Sequence, residues 1–337
     1  MKPIELSIDL GSTKTSIHKV GSGLIVNDES RVVVMTKNNG MTLIESGKGV
    51  EKYVQKPTAG YQIVNTIQGG VVTNERAAIC MLKDYISRCM PGGAIIKPRV
   101  KVLASVGMGM SYAEKKDVEK ALYKAGVHDV TLIESPLAIA GALGFGRGHF
   151  IVDIGSSKTE IAIVGRDGIV SGCSVDIGGD KITKTIADFM VTSMSSTISF
   201  SLAERIKKEL GTLYENNNMS MRVNVRKVGK QQGTESEIIH SKDIRAIIQP
   251  HVIDLLEIIY NMSFEIPSNI ADDICNEGIV LCGGGSNLTG LSEFISKFMQ
   301  MKVARVDDAT TVVSRGGMYF LENNTDFARL LNLVNYK

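Results

Sequence analysis

Two segments of the chain each place an aspartate directly before a short turn rich in small residues. Asp153 ends an apolar run and is followed by the turn 155–157, and Asp9 is followed by the turn 11–13 in the same way. Glycine lets the backbone come close to a ligand, and successive N–H groups in such a turn form a nest for an anion. A carboxylate beside that nest cannot bind phosphate, but it can hold a hydrated Mg²⁺ that the phosphates also ligate. The residue types therefore predict phosphate and metal chemistry.

These two segments are copies of each other, offset by 144 residues (153 − 9). The residues of the first copy that recur in the second are Asp9, Gly11, Ser12, Lys14, Thr15, Ile17, Val20 and Gly21. Each copy has the pattern strand, tight turn, strand, so we interpret the match as an internal duplication. Eight identities disfavour the alternative of two unrelated hairpins. We expect two similar halves that face each other across a cleft and clamp one nucleotide.

A third glycine turn follows an apolar strand late in the chain. Residues 278–282 predict the strand, residues 283–286 read Gly-Gly-Gly-Ser, and a helix is expected from Leu288. This order lets an adenine or a phosphate lie against the backbone and a helix N-terminus. The turn strengthens the prediction of a nucleotide site because it is the third of its kind in a duplicated chain.

The composition limits the classes of protein to which the chain can belong. The chain has 337 residues, enough for two domains with cores of their own, and its hydrophobic fraction of 43% is typical of a globular protein. The net charge of +2 gives no electrostatic case for binding nucleic acid. Five cysteines without a C-x-x-C pair predict reduced thiols. No run of 18 apolar residues and no signal peptide are found, so we expect a cytoplasmic protein.

Strands alternate with helices through the first half of the chain. The predicted order is strand 100–106, helix 113–125, strand 129–133 and helix 137–144. Ser111 is expected to cap the first of these helices, with Glu114 in its first turn. Such alternation is typical of an α/β fold with a mixed or parallel sheet.

Two further helix starts are predicted from local signals. Ser201 followed by Glu204 reads as a capping box for a helix over 200–209. The glycine pair at 316 and 317 predicts a loop that ends where a helix over 318–322 begins.

The three turns, in this order, resemble the superfamily of actin and the sugar kinases, and within it the chain is similar to MreB, the bacterial actin family. The motifs that carry the resemblance are the Asp9 loop, GGVVTNERA (69–77), KPRV (97–100), LIESPLAIAGALG (132–144), VDIGSSKTEIAIV (152–164), DIGGDKIT (176–183), AERIKKELG (203–211), GIVLCGGGSNL (278–288) and SRGGMYFLE (314–322). Divergence from the family pattern and the absence of Trp point weakly to a wall-less bacterium.

The resemblance implies an α/β, actin-like ATPase fold made of two duplicated RNase H-like domains, each with a small inserted subdomain. The first half is expected to cover 1–146 plus 316–337, with its insertion at about 30–70. The second half is expected to cover 147–315, with its insertion at about 181–243. ATP and Mg²⁺ are the implied cofactors.

Shared motifs also assign site residues by resemblance. The implied nucleotide contacts are Ser12, Thr13 and Lys14 in the first phosphate loop, Gly155, Ser156 and Ser157 in the second, Glu204, Lys207 and Lys208 along the ribose and base, and Gly283, Gly284, Gly285 and Ser286 at the adenosine. Asp9 and Asp153 match the acids that hold Mg²⁺ through water.

The chain departs from the family at the positions tied to hydrolysis. The family has Glu-Glu-Pro where this chain has Glu134, Ser135 and a proline, and the second Glu of that motif orients the attacking water. A Thr of the second loop, also linked to positioning the water, is Lys158 here, and Lys14 stands where the family has Asn. Phosphoryl transfer depends on positioning and charge stabilisation, so we expect slow hydrolysis. Lys158 would instead pair with the γ-phosphate.

Partners are implied by the resemblance as well. We expect the protein to assemble with itself into paired protofilaments beneath the membrane, and to act in cell shape or cell movement. Ile95 and Ile96 fall on the loop that carries a membrane-inserting apolar pair in the family. The same two residues can instead begin a buried strand, and both interpretations stay open. The inner face of the membrane, other MreB-like subunits and membrane proteins are further expected partners; nucleic acid is not.

Other functions remain alternatives on the same fold. A plasmid-segregation actin would bind a DNA adaptor, which the near-neutral charge disfavours. A small-molecule kinase needs a carboxylate base at an acceptor pocket, and the sequence does not place one. A chaperone ATPase needs a substrate-binding domain, for which these residues show no candidate.

Overall fold

The protein was studied as a computed structural model, which describes residues 2–37, 40–54, 60–92, 98–229, 233–323 and 325–329. The chain divides into two compact units. The first unit consists of 1–148, 164–174 and 310–337, and the second of 149–163 and 175–309. No helix within the described ranges has the length and apolar character needed to cross a membrane.

Strands and helices alternate along most of the chain. The strands are β1 (Ile4–Leu10), β2 (Lys14–Lys19), β3 (Gly23–Glu29), β4 (Arg31–Lys37), β5 (Gly40–Ser46), β6 (Tyr61–Asn65), β7 (Ile67–Gln68), β8 (Val71–Val72), β9 (Val100–Val106), β10 (Asp129–Glu134), β11 (His149–Ile154), β12 (Thr159–Gly165), β13 (Gly168–Val175), β14 (Ser196–Thr197), β15 (Ser220–Lys227), β16 (Glu235–His240), β17 (Ile279–Cys282) and β18 (Val303–Arg305). The α-helices are α1 (Glu51–Val54), α2 (Glu75–Arg88), α3 (Tyr112–Lys124), α4 (Ser135–Gly144), α5 (Gly179–Met194), α6 (Phe200–Leu210), α7 (Ser241–Ser263), α8 (Ser268–Glu277), α9 (Leu291–Met299) and α10 (Val312–Glu322). Single 3₁₀ turns form at Gly47–Val50 and Gly284–Asn287.

The first unit is built on a mixed five-stranded sheet in the order β10-β9-β1-β2-β3. β1 runs parallel to β9, and β9 runs parallel to β10, whereas β1 and β2 form the antiparallel hairpin that the sequence predicts. The register places Asp9 beside Ser105 and Glu134 beside Val106. The carboxyl ends of three parallel strands therefore meet at one edge of this sheet.

A second five-stranded sheet has the order β13-β12-β11-β17-β18. β11 and β17 are parallel, and their register places Asp153 beside Cys282. All seven residues of β12 are buried, as expected for a strand covered on both faces. The mixed α/β architecture predicted from the sequence is thus confirmed.

Two small three-stranded sheets lie within the segments that the sequence marks as insertions. One has the order β5-β4-β6 and the other has the order β14-β15-β16. In β15, Val223 and Val225 are buried while Arg222 and Arg226 are exposed, which confirms the predicted alternation. The division of each half into a large and a small subdomain stays a prediction.

The two predicted helix caps have different outcomes. Ser111 caps α3 and forms a full capping box with Glu114, as the sequence indicated. For α6 the expected cap is wrong: Ser199, not Ser201, accepts the N–H of Leu202 at 3.2 Å. Both serines satisfy the local rule, and the backbone becomes extended only at Ser199.

The predicted helix over 318–322 is too short, because α10 begins at Val312 and contains both glycines. A Cβ on Gly316 would lie 1.7 Å from the carbonyl oxygen of Ala138, and one on Gly317 would lie 2.2 Å from Oγ of Ser7. A Cβ on Gly141 of α4 would likewise lie 2.6 Å from the ring of Phe320. The glycines therefore permit a close contact between α4 and α10 instead of ending a helix.

This contact gives a test of the packing in the first unit. Gly316→Ala should lower the free energy of unfolding by at least about 2 kcal/mol, because the clash with a backbone carbonyl outweighs the better helix propensity of alanine. Urea unfolding measures the change. Gly92→Ala is the matched control, since a Cβ there meets nothing within 4 Å, and its effect should stay within about 0.5 kcal/mol. Equal effects of the two substitutions would contradict the packing argument.

Candidate functional site

The first glycine turn joins β1 to β2 and is fixed by Ser30. The hydroxyl of Ser30 donates to the carbonyl of Gly11 at 2.6 Å, and its N–H donates to the carbonyl of Thr13 at 2.9 Å. Gly11 lies so close to the end of the turn that a Cβ there would be 2.6 Å from the carbonyl oxygen of Lys14. The Oγ of Ser12 accepts the N–H of Gly69 at 2.8 Å. The turn is thus held from two sides.

The second glycine turn, between β11 and β12, repeats this geometry. The N–H of Gly155 donates to the carbonyl of Lys158 at 2.9 Å, and a Cβ on Gly155 would lie 2.9 Å from the same oxygen. In both turns a glycine is packed against the carbonyl of the lysine three residues later. The duplication seen in the sequence is therefore also present in the backbone.

The start of α5 lies directly on the second turn. The N–H of Gly179 donates to the carbonyl of Gly155 at 3.1 Å, and that of Asp180 donates to the carbonyl of Ser156 at 2.7 Å. A Cβ on Gly178 would lie 2.4 Å from the carbonyl oxygen of Ser156. The helix N-terminus, with its partial positive charge, consequently lies beside the turn, an arrangement that favours an anion.

Asp180 is a neighbour of the site that sequence reasoning did not single out. Its carboxylate accepts the hydroxyl of Ser157 at 3.2 Å. Burial raises the pKa of Asp180, and the hydrogen bond from Ser157 acts in the opposite direction. The sequence signal for this neighbour was the pair Gly178 and Gly179 at the start of α5. Two glycines at a helix start allow another stretch of backbone to come close, and Asp180 follows them directly.

Lys207 and Glu204 on α6 join that helix to α5. The ammonium of Lys207 donates to the carbonyl of Gly179 and the hydroxyl of Thr183, both at 2.9 Å, and lies 2.6 Å from the Glu204 carboxylate. Burial alone would raise the pKa of Glu204, but the hydrogen bonds from Lys207 and Thr183 outweigh it and lower the pKa. Lys208, 3.2 Å from Glu204, keeps 69% of its side chain exposed. Lys207 thus fixes the start of α5, while Lys208 extends into solvent.

The third turn is packed against the end of β11. Gly283 has φ +76°, and a Cβ there would lie 2.4 Å from both Oδ1 of Asp153 and the carbonyl oxygen of Ile154. A Cβ on Gly285 would lie 2.2 Å from the side chain of Ile154. The hydroxyl of Ser286 donates to the carbonyl of Gly283 at 2.7 Å and closes the turn. The parallel pairing of β11 and β17 is what brings the acid and the glycines together.

Two clefts border α9. The smaller, of about 320 Å³, is lined by Ser286 of the third turn together with Tyr214 and Arg305. The larger, of about 560 Å³, contains none of the predicted site residues. Among the described residues, the third turn therefore opens onto the smaller cleft.

Asp153 has the electrostatics expected of a ligand for a cation. Burial raises its pKa to about 6, and within the described ranges no side chain forms a hydrogen bond or ion pair with it. A bound divalent ion would offset that cost. No group of three or more His, Cys, Asp or Glu side chains with metal-binding geometry occurs among the described residues. The donor set fits an ion such as Mg²⁺ that keeps most of its waters and binds one or two carboxylates.

In the first unit, Glu134 and Ser135 lie at the edge of the sheet that also carries Asp9. Glu134 ends β10, two strands from β1, and its carboxylate lies 3.6 Å from the ammonium of Lys115. Ser135 begins α4, is buried, and donates its hydroxyl to the carbonyl of Val106 at 3.2 Å. The hydroxyl of Ser135 is therefore engaged in a hydrogen bond with the backbone of β9.

The predicted residues thus form two groups. The structure brings together, in the second unit, Asp153, Gly155, Ser156, Ser157, Lys158, Glu204, Lys207, Lys208, Gly283, Gly284, Gly285 and Ser286. In the first unit, Asp9, Ser12, Thr13, Lys14, Glu134 and Ser135 follow the carboxyl ends of neighbouring or nearby strands. Ile95 and Ile96 lie outside the described residues.

Two mixed sheets, each beginning with an acid-and-glycine hairpin, define an actin-like fold. The chain belongs to the MreB/Mbl family, because the family described as "MreB/Mbl protein" matches residues 3–329. It is a cytoskeletal protein of that family. The cell shape-determining protein MreB of Escherichia coli K12 is 28% identical over 325 residues, covering 94% of this chain and 93% of the relative. Mbl of Bacillus subtilis 168 is 25% identical over 324 residues, covering 95% and 96%.

Solved structures agree on the fold. The chain resembles MreB5 of Spiroplasma citri bound to ADP with a TM-score of 0.85 at 24% identity, covering 96% of this chain and 99% of that one. It resembles a MamK double helical filament with a TM-score of 0.79 at 17% identity, again covering 96% and 99%. The predicted family and fold class are therefore confirmed.

The raised pKa of Asp153 predicts a pH-dependent stability. Well below pH 4 the carboxyl is protonated in both the folded and the unfolded chain, whereas above pH 6 the folded protein carries a poorly solvated charge. Asp153→Asn should therefore raise the free energy of unfolding at pH 7.5 by up to about 3 kcal/mol in the presence of EDTA. The gain should disappear as the pH falls through 6 towards 4.

Urea unfolding at a series of pH values, without nucleotide, measures this difference. Asp117→Asn is the control, since Asp117 is exposed on α3 and its replacement should bring no comparable gain. A gain of the same size at pH 4.5 and pH 7.5 would show that the charge of Asp153 is not its cause.

Proposed function

We propose that this protein binds ATP with Mg²⁺ and polymerises into paired protofilaments that act in cell shape or cell movement. The observation that carries the proposal is the repeated turn. In both copies a glycine packs on the carbonyl of a lysine three residues later, and an aspartate is the penultimate residue of the strand before it. We infer that each copy contributes to binding the phosphates of the same ATP.

Contacts from the second unit are proposed to hold the rest of the nucleotide. The N–H groups of Ser156 and Ser157 and the partial positive charge at the N-terminus of α5 would attract phosphate oxygens. The N–H groups of Gly155, Gly179 and Asp180 already donate to backbone carbonyls and hold the turn in shape. The glycine turn 283–286 offers an open backbone surface for the adenosine, and Lys208 keeps an exposed cation on α6. Lys207 acts differently: its ammonium already has three oxygen partners, so it positions the start of α5.

The two lysines of the turns support a polyphosphate ligand. Within the described ranges, no hydrogen bond or ion pair engages the ammonium of Lys14 or of Lys158. An unneutralised cation beside a nest of N–H groups favours a multiply charged anion. We propose that both lysines bind phosphate oxygens, with Lys158 near the γ-phosphate.

Mg²⁺ would be held through water by Asp9 and Asp153. The ion supplies charge neutralisation to the phosphates when it is bound. For the protein, the consequence is that the desolvated carboxylate of Asp153 gains a partner, which lowers the cost of keeping it ionised at neutral pH.

Hydrolysis is proposed to be slow because the position that should orient water is occupied by Ser135. This side chain is short and uncharged, and its hydroxyl is used by the carbonyl of Val106. Glu134 is paired with Lys115, so it is not poised as a free base. A filament protein with these residues would bind ATP, but it would lack the side chain that orients the attacking water. Phosphoryl transfer to water depends mostly on that positioning.

The paired substitution Ser135→Glu with Lys158→Thr should raise phosphate release from filaments by about tenfold or more, since it restores a water-orienting carboxylate. A phosphate-release assay at saturating ATP measures the rate. An MreB with Glu and Thr at these positions provides the reference. If this protein already releases phosphate at the rate of that reference, the proposed loss of positioning is refuted.

Assembly and attachment to the membrane are proposed from the family. One solved relative is described as a double helical filament, and the curated relatives are described as cell shape-determining. Other MreB-like subunits and membrane proteins are proposed as partners. Ile95 and Ile96 are proposed to dip into the membrane interface.

Sedimentation with and without ATP, and with and without anionic liposomes, tests this function. We expect ATP-dependent pelleting, and co-sedimentation with liposomes that Ile95→Ser with Ile96→Ser abolishes while pelleting with ATP persists. A chain that neither binds a fluorescent ATP analogue nor pellets with ATP would defeat the proposal.

A further inference from the structure

Three aromatic side chains form an exposed cluster on the second unit. Tyr260 and Phe264, at the end of α7, have ring centroids 5.0 Å apart, and Phe298 of α9 lies 6.3 Å from Tyr260. Both pairs are nearly perpendicular. Their exposed fractions are 47%, 71% and 53%, respectively. Soluble monomers seldom leave contiguous aromatic surface in water unless it binds something.

The chain segment that carries Tyr260 and Phe264 is acidic. Between residues 252 and 277 the sequence contains six carboxylates and neither Lys nor Arg. Glu257 lies on the same stripe of α7 as Tyr260 and the exposed Ile253, at helical spacings of three and four residues, respectively. Negative charge of this density opposes an anionic lipid surface and favours a basic protein surface.

A basic surface of matching character lies on the sheet β14-β15-β16. Residues 220–230 contain four basic residues and no acid. Arg222 and Arg226 are exposed on one face of β15, and Arg222 is paired in register with Ile238, which is 46% exposed. Two carboxylates of β16 are in register with β15, Glu237 opposite Val223 and Glu235 opposite Val225, and both positions belong to the other face. Glu237 pairs with Lys227. This basic face therefore combines cations with an apolar side chain.

The two surfaces lie at opposite ends of α7. Ser241 begins α7 directly after β16, and its N–H donates to the carbonyl of Met219 beside the small sheet. Phe264 caps the other end, 23 residues later, which is about 35 Å away along a helix. The surfaces cannot meet within one molecule, but they can meet between two molecules. Different patches that bind each other give a head-to-tail contact, and such contacts generate open filaments.

We propose that the aromatic cluster of one subunit docks on the basic face of the next copy of this chain, and that this contact propagates the filament. The proposal rests on the proposed polymerisation and identifies the surfaces that form it. Phe264, the most exposed ring, is the anchor, since buried aromatics and arginines carry most of the binding energy of interfaces. Glu257 and the two arginines orient the contact.

The first test removes the anchor without touching the core. Phe264→Asp should raise the critical concentration for ATP-dependent pelleting by about tenfold or more. Tyr123→Asp is the matched control, because Tyr123 on α3 is exposed to a similar degree (49%) but lies in the first unit; its critical concentration should not change. Unchanged urea unfolding of both variants verifies that folding is intact.

The second test mixes two variants that each lack one surface. Phe264→Asp keeps the basic face, and Arg222→Glu with Arg226→Glu keeps the aromatic cluster. Each should remain monomeric by analytical ultracentrifugation with a non-hydrolysable ATP analogue, whereas an equimolar mixture should form dimers and no longer species. Dimers of the arginine variant alone would mean that aromatic clusters pair with each other, which overturns the proposal.

The outcomes separate this proposal from the proposed function. If the wild type pellets with ATP and both variants pellet equally well, the filament uses other surfaces and only this inference fails. Binding of the Phe264 cluster to anionic vesicles, lost in Phe264→Asp while pelleting is kept, would likewise overturn it. If the wild type does not pellet at all, the proposed function itself fails.

Discussion

The candidate site depends on one parallel strand pairing. β11 and β17 lie side by side in a register that places Asp153 next to Cys282, so the residue after each strand emerges at the same edge of the sheet. Gly283 then lies so close to Asp153 that a Cβ there would be 2.4 Å from its Oδ1, and only glycine has room for this. Because the strands are buried and hydrogen-bonded, the turns that follow them are held in place. The remainder of the site in the second unit is added around this pair.

Helices complete the arrangement by packing against the turns. α5 begins on the second turn through two backbone hydrogen bonds, and α6 is joined to α5 by the ammonium of Lys207. The segment after α6 is hydrogen-bonded to the segment after the third turn: the N–H of Leu213 donates to the carbonyl of Thr289 at 2.9 Å. The start of α5 and the third turn are thus fixed beside the end of β11, the strand that carries Asp153. A buried carboxylate of this kind costs stability, and the proposed binding of Mg²⁺ with ATP would offset that cost.

The proposed assembly would use a different property of the fold. α7 connects the small sheet to the aromatic cluster as a single element, so the separation of the two surfaces is set by helix length and not by loops. A fixed separation suits a repeating contact, because each subunit then transmits the same geometry to the next. Both proposed contact surfaces lie in the second unit, as do the turns 155–157 and 283–286 of the proposed site.

The sequence alone determined the features that depend on neighbours in the chain. The repeated hairpins, the cap of α3 by Ser111 and the alternation along β15 follow from local sterics, capping and periodicity, and the structure confirms them. The fold class and the family also followed from motifs. Only the tertiary structure decided that α10 continues through Gly316, that Ser199 caps α6, that Lys207 is held by three oxygens, and that Phe298 meets Tyr260. Each of these depends on a side chain or backbone carbonyl far away in sequence or on a choice between equivalent local signals, and such choices are settled by packing.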